Sequence, residues 1–253
     1  MVKETDTRTT GQDTAGLARL LGWLVALPLF AAGVITLLLE FEITADPPRE
    51  TPPNDIVEGT LAFFQNESDR WPQQLAAMLF FTVGFLALIG LVVLLRRAVS
   101  REDPRMMLGT LAVGTGAGIA AAGQLLFIGA KEVGIDPQVC DCARAAEQII
   151  SRGQTLFMIE NAQNWLLVGF LALASAGLFL IWRVTTNRGL FSSAWRGVSL
   201  FLAILLIAGV IGEVADLQDL TDIFAALASV IVTPIWALMT ARQLAATSGE
   251  TAT

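Results

Sequence analysis

The chain has no histidine and no tyrosine, and only two lysines and two cysteines among 253 residues. Each shortage removes a class of chemistry. Without imidazole there is no bis-His haem ligation, no His-bearing metal site, no Ser–His dyad and no histidine proton relay within the chain. Lys3 and Lys131 both fall at or beyond the end of an apolar stretch, so a Schiff base on a membrane-buried lysine has no candidate. The acidic residues contain no D-x-D-x-D-G run closed by a glutamate, so no EF-hand loop is expected. Within the long apolar stretches the only charged residues are Arg19, Glu40 and Arg196, each close to a stretch end. Ionisable side chains inside a bilayer normally mark ion or proton paths, so a pump or proton-coupled carrier is disfavoured.

What the chain has in abundance is apolar length. Six stretches run at Leu17–Phe41, Pro72–Leu95, Met106–Ala130, Asn161–Trp182, Ala194–Ile211 and Ile223–Met239. A hydrocarbon core needs about 20 apolar helical residues, so the fold class is all-α, a polytopic membrane protein with six transmembrane helices. The first stretch reads as a retained helix rather than a cleaved signal: it is too long and ends at Glu40 without a small-x-small site. The bundle is expected over residues 17–244, with tails at 1–16 and 245–253 disordered and outer loops at 42–71 and 131–160.

Charge sets an expected orientation. With the N-terminus inside, the inner segments hold Lys3, Arg8, Arg19, Arg96, Arg97, Arg101, Arg105, Arg183, Arg188, Arg196 and Arg242. The outer segments hold only Arg49, Arg70, Lys131, Arg144 and Arg152. The positive-inside rule then places both termini in the cytoplasm of a prokaryotic cytoplasmic membrane. Trp23, Trp182, Trp195 and Trp236 fall at inner helix ends, and Trp71 and Trp165 at outer ends, as an aromatic belt would. The outer segments are correspondingly rich in carboxylates, either to keep them in water or as a cation-attracting rim.

Two outer loops carry helical signals. Asp55 with Glu58 starts a capping-box-like segment, and Val57, Leu61 and Phe64 form an apolar stripe, predicting a short amphipathic helix to about Asn66. Residues 143–154 show the same character and are placed to run into the fourth helix. Cys140-Asp141-Cys142 lies in this second loop. A bond between Cys140 and Cys142 closes a small, strained, reducible ring; free thiols or a bond to another chain are the alternatives.

Within the third stretch, Gly114-x-x-x-Gly118 and Gly118-x-x-x-Ala122 offer the small-residue spacing that lets membrane helices approach closely. This predicts the third helix at the centre of the bundle, or else a dimerisation face. Pro28 and Pro234 are expected to kink the first and sixth helices. Val83-Gly84-Phe85-Leu86-Ala87-Leu88 recurs as Val168-Gly169-Phe170-Leu171-Ala172-Leu173, a candidate parallel repeat. One polar constellation stands out: Glu40, Gln124, Glu160, Asn161, Asn164 and Glu213, all toward outer helix ends, form a candidate outer cup for a cation or ammonium group. Ordinary polarity at helix ends is the alternative.

The run Asn187-Arg188-Gly189-Leu190, followed by Pro234-Ile235-Trp236 with Arg242 and Leu244, resembles a group of uncharacterised bacterial six-helix integral membrane proteins. The resemblance implies the six-helix architecture and no functional residue. The expected function is a membrane-embedded interaction, accessory or sensory module without catalytic machinery; the alternative is a small channel or carrier with the cup as vestibule. No cofactor, metal or nucleic-acid partner is expected, and the partners are the lipid bilayer with a membrane protein or a second copy of the chain.

Overall fold

The computed structural model describes residues 4–40, 56–99, 102–135 and 146–250, and the regular structure of these residues is helical throughout. Five long helices come first: α1 (Glu4–Glu40), α2 (Ile56–Val99), α3 (Pro104–Ile135), α4 (Ala146–Asn187) and α5 (Ser193–Val214). The sixth passage is composite, with α6 (Gln218–Ala226), a π-helical turn (Leu227–Val232) and α7 (Thr233–Glu250). Six segments are long and apolar enough to cross a membrane: Asp13–Leu39, Asp69–Val99, Pro104–Lys131, Gly153–Asn187, Ser193–Val214 and Ile223–Thr247. They match the six predicted stretches one to one.

The helices run further than the apolar pattern. Where irregular tails were expected, α1 begins at Glu4 and α7 continues to Glu250. The separate amphipathic helix is instead the first part of α2, which passes through Pro72 without a break. Once a helix is nucleated, each added residue gains a hydrogen bond at little further cost, so polar flanks join a stable apolar helix. The segment before the fourth passage is continuous with α4 from Ala146, as its pattern suggested.

The sixth passage shows what Pro234 does. It has no N–H for the carbonyl four residues back, and the preceding ladder widens: the Thr233 N–H reaches the Ala228 carbonyl, a five-residue step. The wider turn faces α1 at Gly33, where an added Cβ would overlap the Val230 side chain.

Neighbouring passages pack side by side and antiparallel. α3 packs on α2 and α4, α1 on α2 and α7, and α5 on α4 and α6. Leu21 lies against Gly90, Gly22 against Ala241, and the Gly109 and Gly177 backbones touch. The helices therefore close into a ring, with one end gathering Arg19, Arg97, Arg105, Arg188, Arg196 and Arg242 (the basic end) and the other carrying Glu160 and Glu213 (the acidic end). α3 is a wall of this ring, not its centre, which corrects the expectation drawn from its glycines. The middle is filled by apolar side chains, among them Leu91, Phe85, Phe170, Leu178, Leu202 and Trp236. Phe85 of α2 meets Phe170 of α4 edge-to-face at 4.9 Å between ring centres. The two copies of the suspected repeat play different parts: Gly84 is pressed against Leu29, whereas nothing lies within 4 Å of a Cβ built on Gly169.

The turn between α4 and α5 explains the Asn187-Arg188-Gly189-Leu190 run. Gly189 has φ +63°, its N–H bonds the Thr186 carbonyl at 3.1 Å, and the Leu190 N–H bonds the Thr185 carbonyl at 2.9 Å. This is a Schellman ending, in which glycine enters the left-handed region without a Cβ penalty. Ser192 then caps α5 by accepting the Trp195 N–H at 3.3 Å. The run that carries the resemblance is thus a helix stop followed by a helix start.

Candidate functional site

The α4 residues of the proposed outer cup do not turn toward Gln124. Glu160, Asn161 and Asn164 of α4 are exposed, as is the neighbouring Trp165. Gln124 of α3 is buried, and Glu213 is half-buried at the end of α5, which packs on α4 and α6. The α4 face toward α3 is instead Gln163, Leu166, Phe170, Leu173 and Gly177, so helical geometry turns Glu160, Asn161 and Asn164 away from Gln124. The side chain of Glu40, and both Cys140 and Cys142, lie outside the described residues.

The close helix approach also falls on a different stripe. Gly114 and Gly118 stand at ordinary contact from Ile89 of α2 (3.9 and 4.0 Å from a Cβ built on each), and Ala122 is exposed. The tight seam is Gly109, Gly116 and Gly123, spaced by seven, against α4. A Cβ on Gly109 would stand 2.9 Å from the Gly177 carbonyl, and one on Gly177 2.5 Å from the Gly109 carbonyl and 2.9 Å from the Val113 nitrogen. A seven-residue spacing keeps contact along two nearly aligned antiparallel helices, whereas the four-residue spacing suits a steeper crossing. Ser175 of α4 ties that helix to α5, donating to the Ala203 carbonyl at 2.8 Å.

At the basic end lies a reciprocal hydrogen-bonded constellation between α5 and α7. Trp195 of α5 and Trp236 of α7 are 0% and 1% exposed, with ring centres 6.2 Å apart. The Trp195 Nε1–H donates to Thr240 Oγ1 at 2.8 Å, and the Thr240 hydroxyl in turn donates to the Trp236 carbonyl at 2.7 Å. In return, the Trp236 Nε1–H donates to Ser199 Oγ at 2.9 Å, and Ser199 donates to the Trp195 carbonyl at 2.9 Å. The pattern is Trp-x-x-x-Ser on α5 and Trp-x-x-x-Thr on α7, facing each other head to tail. Each hydroxyl sits one turn after its tryptophan, so each accepts across the interface while bonding back along its own helix. Gln243 of α7 adds a bond to Ser192, the α5 cap, at 3.1 Å.

These two tryptophans were expected among the interfacial anchors, and the structure corrects that. Trp23 (52% exposed) and Trp165 (60%) have the exposure of belt residues, whereas Trp195 and Trp236 are core residues with their N–H groups satisfied inside the protein. Phe191, held at φ 63°, stacks a tilted ring on Trp195 at 4.8 Å and closes the bracket from the turn.

Two further ties flank the bundle ends. On the basic end, Asp103 accepts the Arg105 N–H at 2.9 Å, capping α3, and pairs with Arg188 of the α4–α5 turn at 2.9 Å. Partial burial opposes its ionisation, but the Arg105 and Met106 amides and the Arg188 guanidinium outweigh it and hold the carboxyl below its ordinary value. On the acidic end, Lys131 is buried, donates to Gln74 Oε1 of α2 at 3.0 Å and lies 4.7 Å from the Phe127 ring centre. It was expected as a plain boundary residue; it ties α3 to α2.

No protein-family model matches the chain, and neither a curated protein nor a solved structure matches it.

Proposed function

We propose that the chain is a membrane-embedded interaction or accessory module without catalytic action of its own, lying in a prokaryotic cytoplasmic membrane with both termini in the cytoplasm. The observation that carries this reading is the use of the interior. Apolar side chains fill the middle of the ring, and Ser175, Ser199, Thr240, Trp195 and Trp236 direct their hydrogen bonds to neighbouring helices or to their own turns. A conducting or carrying protein needs polar groups set along a path with some left to meet the passenger; the five side chains named here hold helices together instead. The basic end supports the orientation through the positive-inside rule.

The test is paired. Purified in mild detergent after cross-linking in its own membrane, the full chain should bring down a stoichiometric membrane partner or a second copy. Reconstituted in liposomes, it should pass ions and small solutes no faster than empty vesicles. Solute flux that falls on Gln124→Leu would overturn the reading in favour of the channel or carrier.

A further inference from the structure

At the basic end, α1 and α7 pack side by side. They touch at Gly22, where an added Cβ would stand 2.5 Å from the Ala241 side chain. Beside this contact runs a groove of about 410 Å³ lined by Arg19 and Trp23 of α1 and Leu238, Ala241, Arg242 and Ala245 of α7. Its floor is apolar, its charged members are both cations contributed by different helices, and no carboxylate is among the described residues that line it.

Three features of this groove point to one chemistry. Two guanidiniums on facing helices match a phosphate, because each presents a planar fork of N–H donors and stays charged. Leu238 lies about one turn nearer the middle of the span than Arg242, and Trp23 one turn nearer than Arg19, so a ligand held by both arginines has its charge toward the helix ends and its hydrocarbon toward the middle of the span. Trp23, on the rim and 52% exposed, has the amphipathic ring that favours the headgroup layer. A soluble anion would use the arginines and leave the floor idle; a neutral lipid would use the floor and leave the arginines idle.

We propose that this groove binds an anionic glycerophospholipid of the leaflet at the basic end. The phosphate sits between Arg19 and Arg242, and the first part of an acyl chain lies along Ala241 and Leu238. Basic pockets between transmembrane helices are a recurring way to hold such headgroups. The site goes beyond the accessory reading above and stands or falls separately from it, since partner capture does not depend on which lipid occupies the groove.

The experiment uses the full chain in neutral detergent micelles, with thermal unfolding and native mass spectrometry as readouts. The probes are phosphatidylglycerol, phosphatidylcholine and inorganic phosphate, each supplied at the same concentration. Phosphatidylglycerol should raise the unfolding temperature and survive as a one-to-one adduct, while the other two do neither. Arg19→Gln with Arg242→Gln should weaken the adduct at least tenfold, and so should Ala245→Phe, which blocks the groove beside the arginines and keeps both charges. Arg105→Gln, at the same end but outside the groove, should leave it unchanged. Equal retention of phosphatidylcholine by the wild-type chain would overturn the proposal without recourse to any variant. Stabilisation by inorganic phosphate alone, or an equal loss in Arg105→Gln, would overturn it too, the first showing a simple anion site and the second a diffuse charge effect.

Discussion

Trp195 and Trp236 look alike in sequence to the four tryptophans that edge the other passages, and their surroundings make them different. An indole N–H at the bilayer surface can bond water or a headgroup; one inside the bundle must find a protein acceptor or leave a polar group unsatisfied, at about 1–3 kcal/mol. Ser199 and Thr240, one turn on from each ring, supply those acceptors reciprocally. Trp195→Phe and Trp236→Phe should each lower stability in detergent by about 1–2 kcal/mol, within the range of single hydrogen bonds between membrane helices plus some lost packing. Trp23→Phe, at an exposed ring, should change it by less than about 0.5 kcal/mol. Thermal unfolding followed by tryptophan fluorescence and circular dichroism reads all three. Equal costs at Trp23 and Trp195 would mean that the bracket adds nothing to the fold. The sequence carried a signal for it, a hydroxyl four residues after each of two tryptophans. Position at a helix end made the anchor assignment look sufficient, because depth along an axis is legible in sequence and the facing direction is not.

For single elements the same limit recurs. The six passages were legible because bilayer thickness imposes a length and composition that no loop satisfies. Their helical flanks were less so, since hydropathy marks the membrane and not the end of the hydrogen-bond ladder. The glycines of α3 were visible in sequence too, but two stripes run through that helix, one spaced by four and one by seven. Which one meets a neighbour depends on crossing angle, which a lone helix sequence does not contain. The structure chooses the seven-residue stripe, Gly109, Gly116 and Gly123, and sets Gly177 of α4 against it. Gly177→Ala should therefore cost about 1–3 kcal/mol, because its new methyl meets backbone atoms that cannot swing aside. Gly118→Ala, facing the tip of Ile89 at ordinary contact distance, should be nearly neutral. Thermal denaturation in one detergent compares them directly; a larger loss at Gly118 would return α3 to the position its G-x-x-x-G pattern first suggested. The α4 residues expected in the outer cup turn away from Gln124 for the same physical reason. Glu160, Asn161 and Asn164 were placed at the right height, but the α4 face toward α3 belongs to Leu166 and Phe170.

Across the whole molecule the described helices form a closed, antiparallel ring of six passages, and the proposed orientation turns its arginine-rich end toward the cytoplasm. Ring closure rests on the described contacts between α1 and α7 and between each helix and the next. The orientation rests on charge alone, because the fold would be the same in either direction. Residue-level ties agree with one end being structurally busy: the Asp103–Arg188 pair, the Ser192 cap and the Trp195–Trp236 bracket all lie there. The most direct measurement replaces Cys140 and Cys142 with serine and introduces single cysteines at two exposed positions on opposite ends of α5, Asn187→Cys before it and Leu217→Cys after it. An impermeant maleimide applied to intact cells should label Leu217→Cys, and should label Asn187→Cys only once the membrane is opened. Labelling of both in intact cells, or of Asn187→Cys alone, would contradict the account.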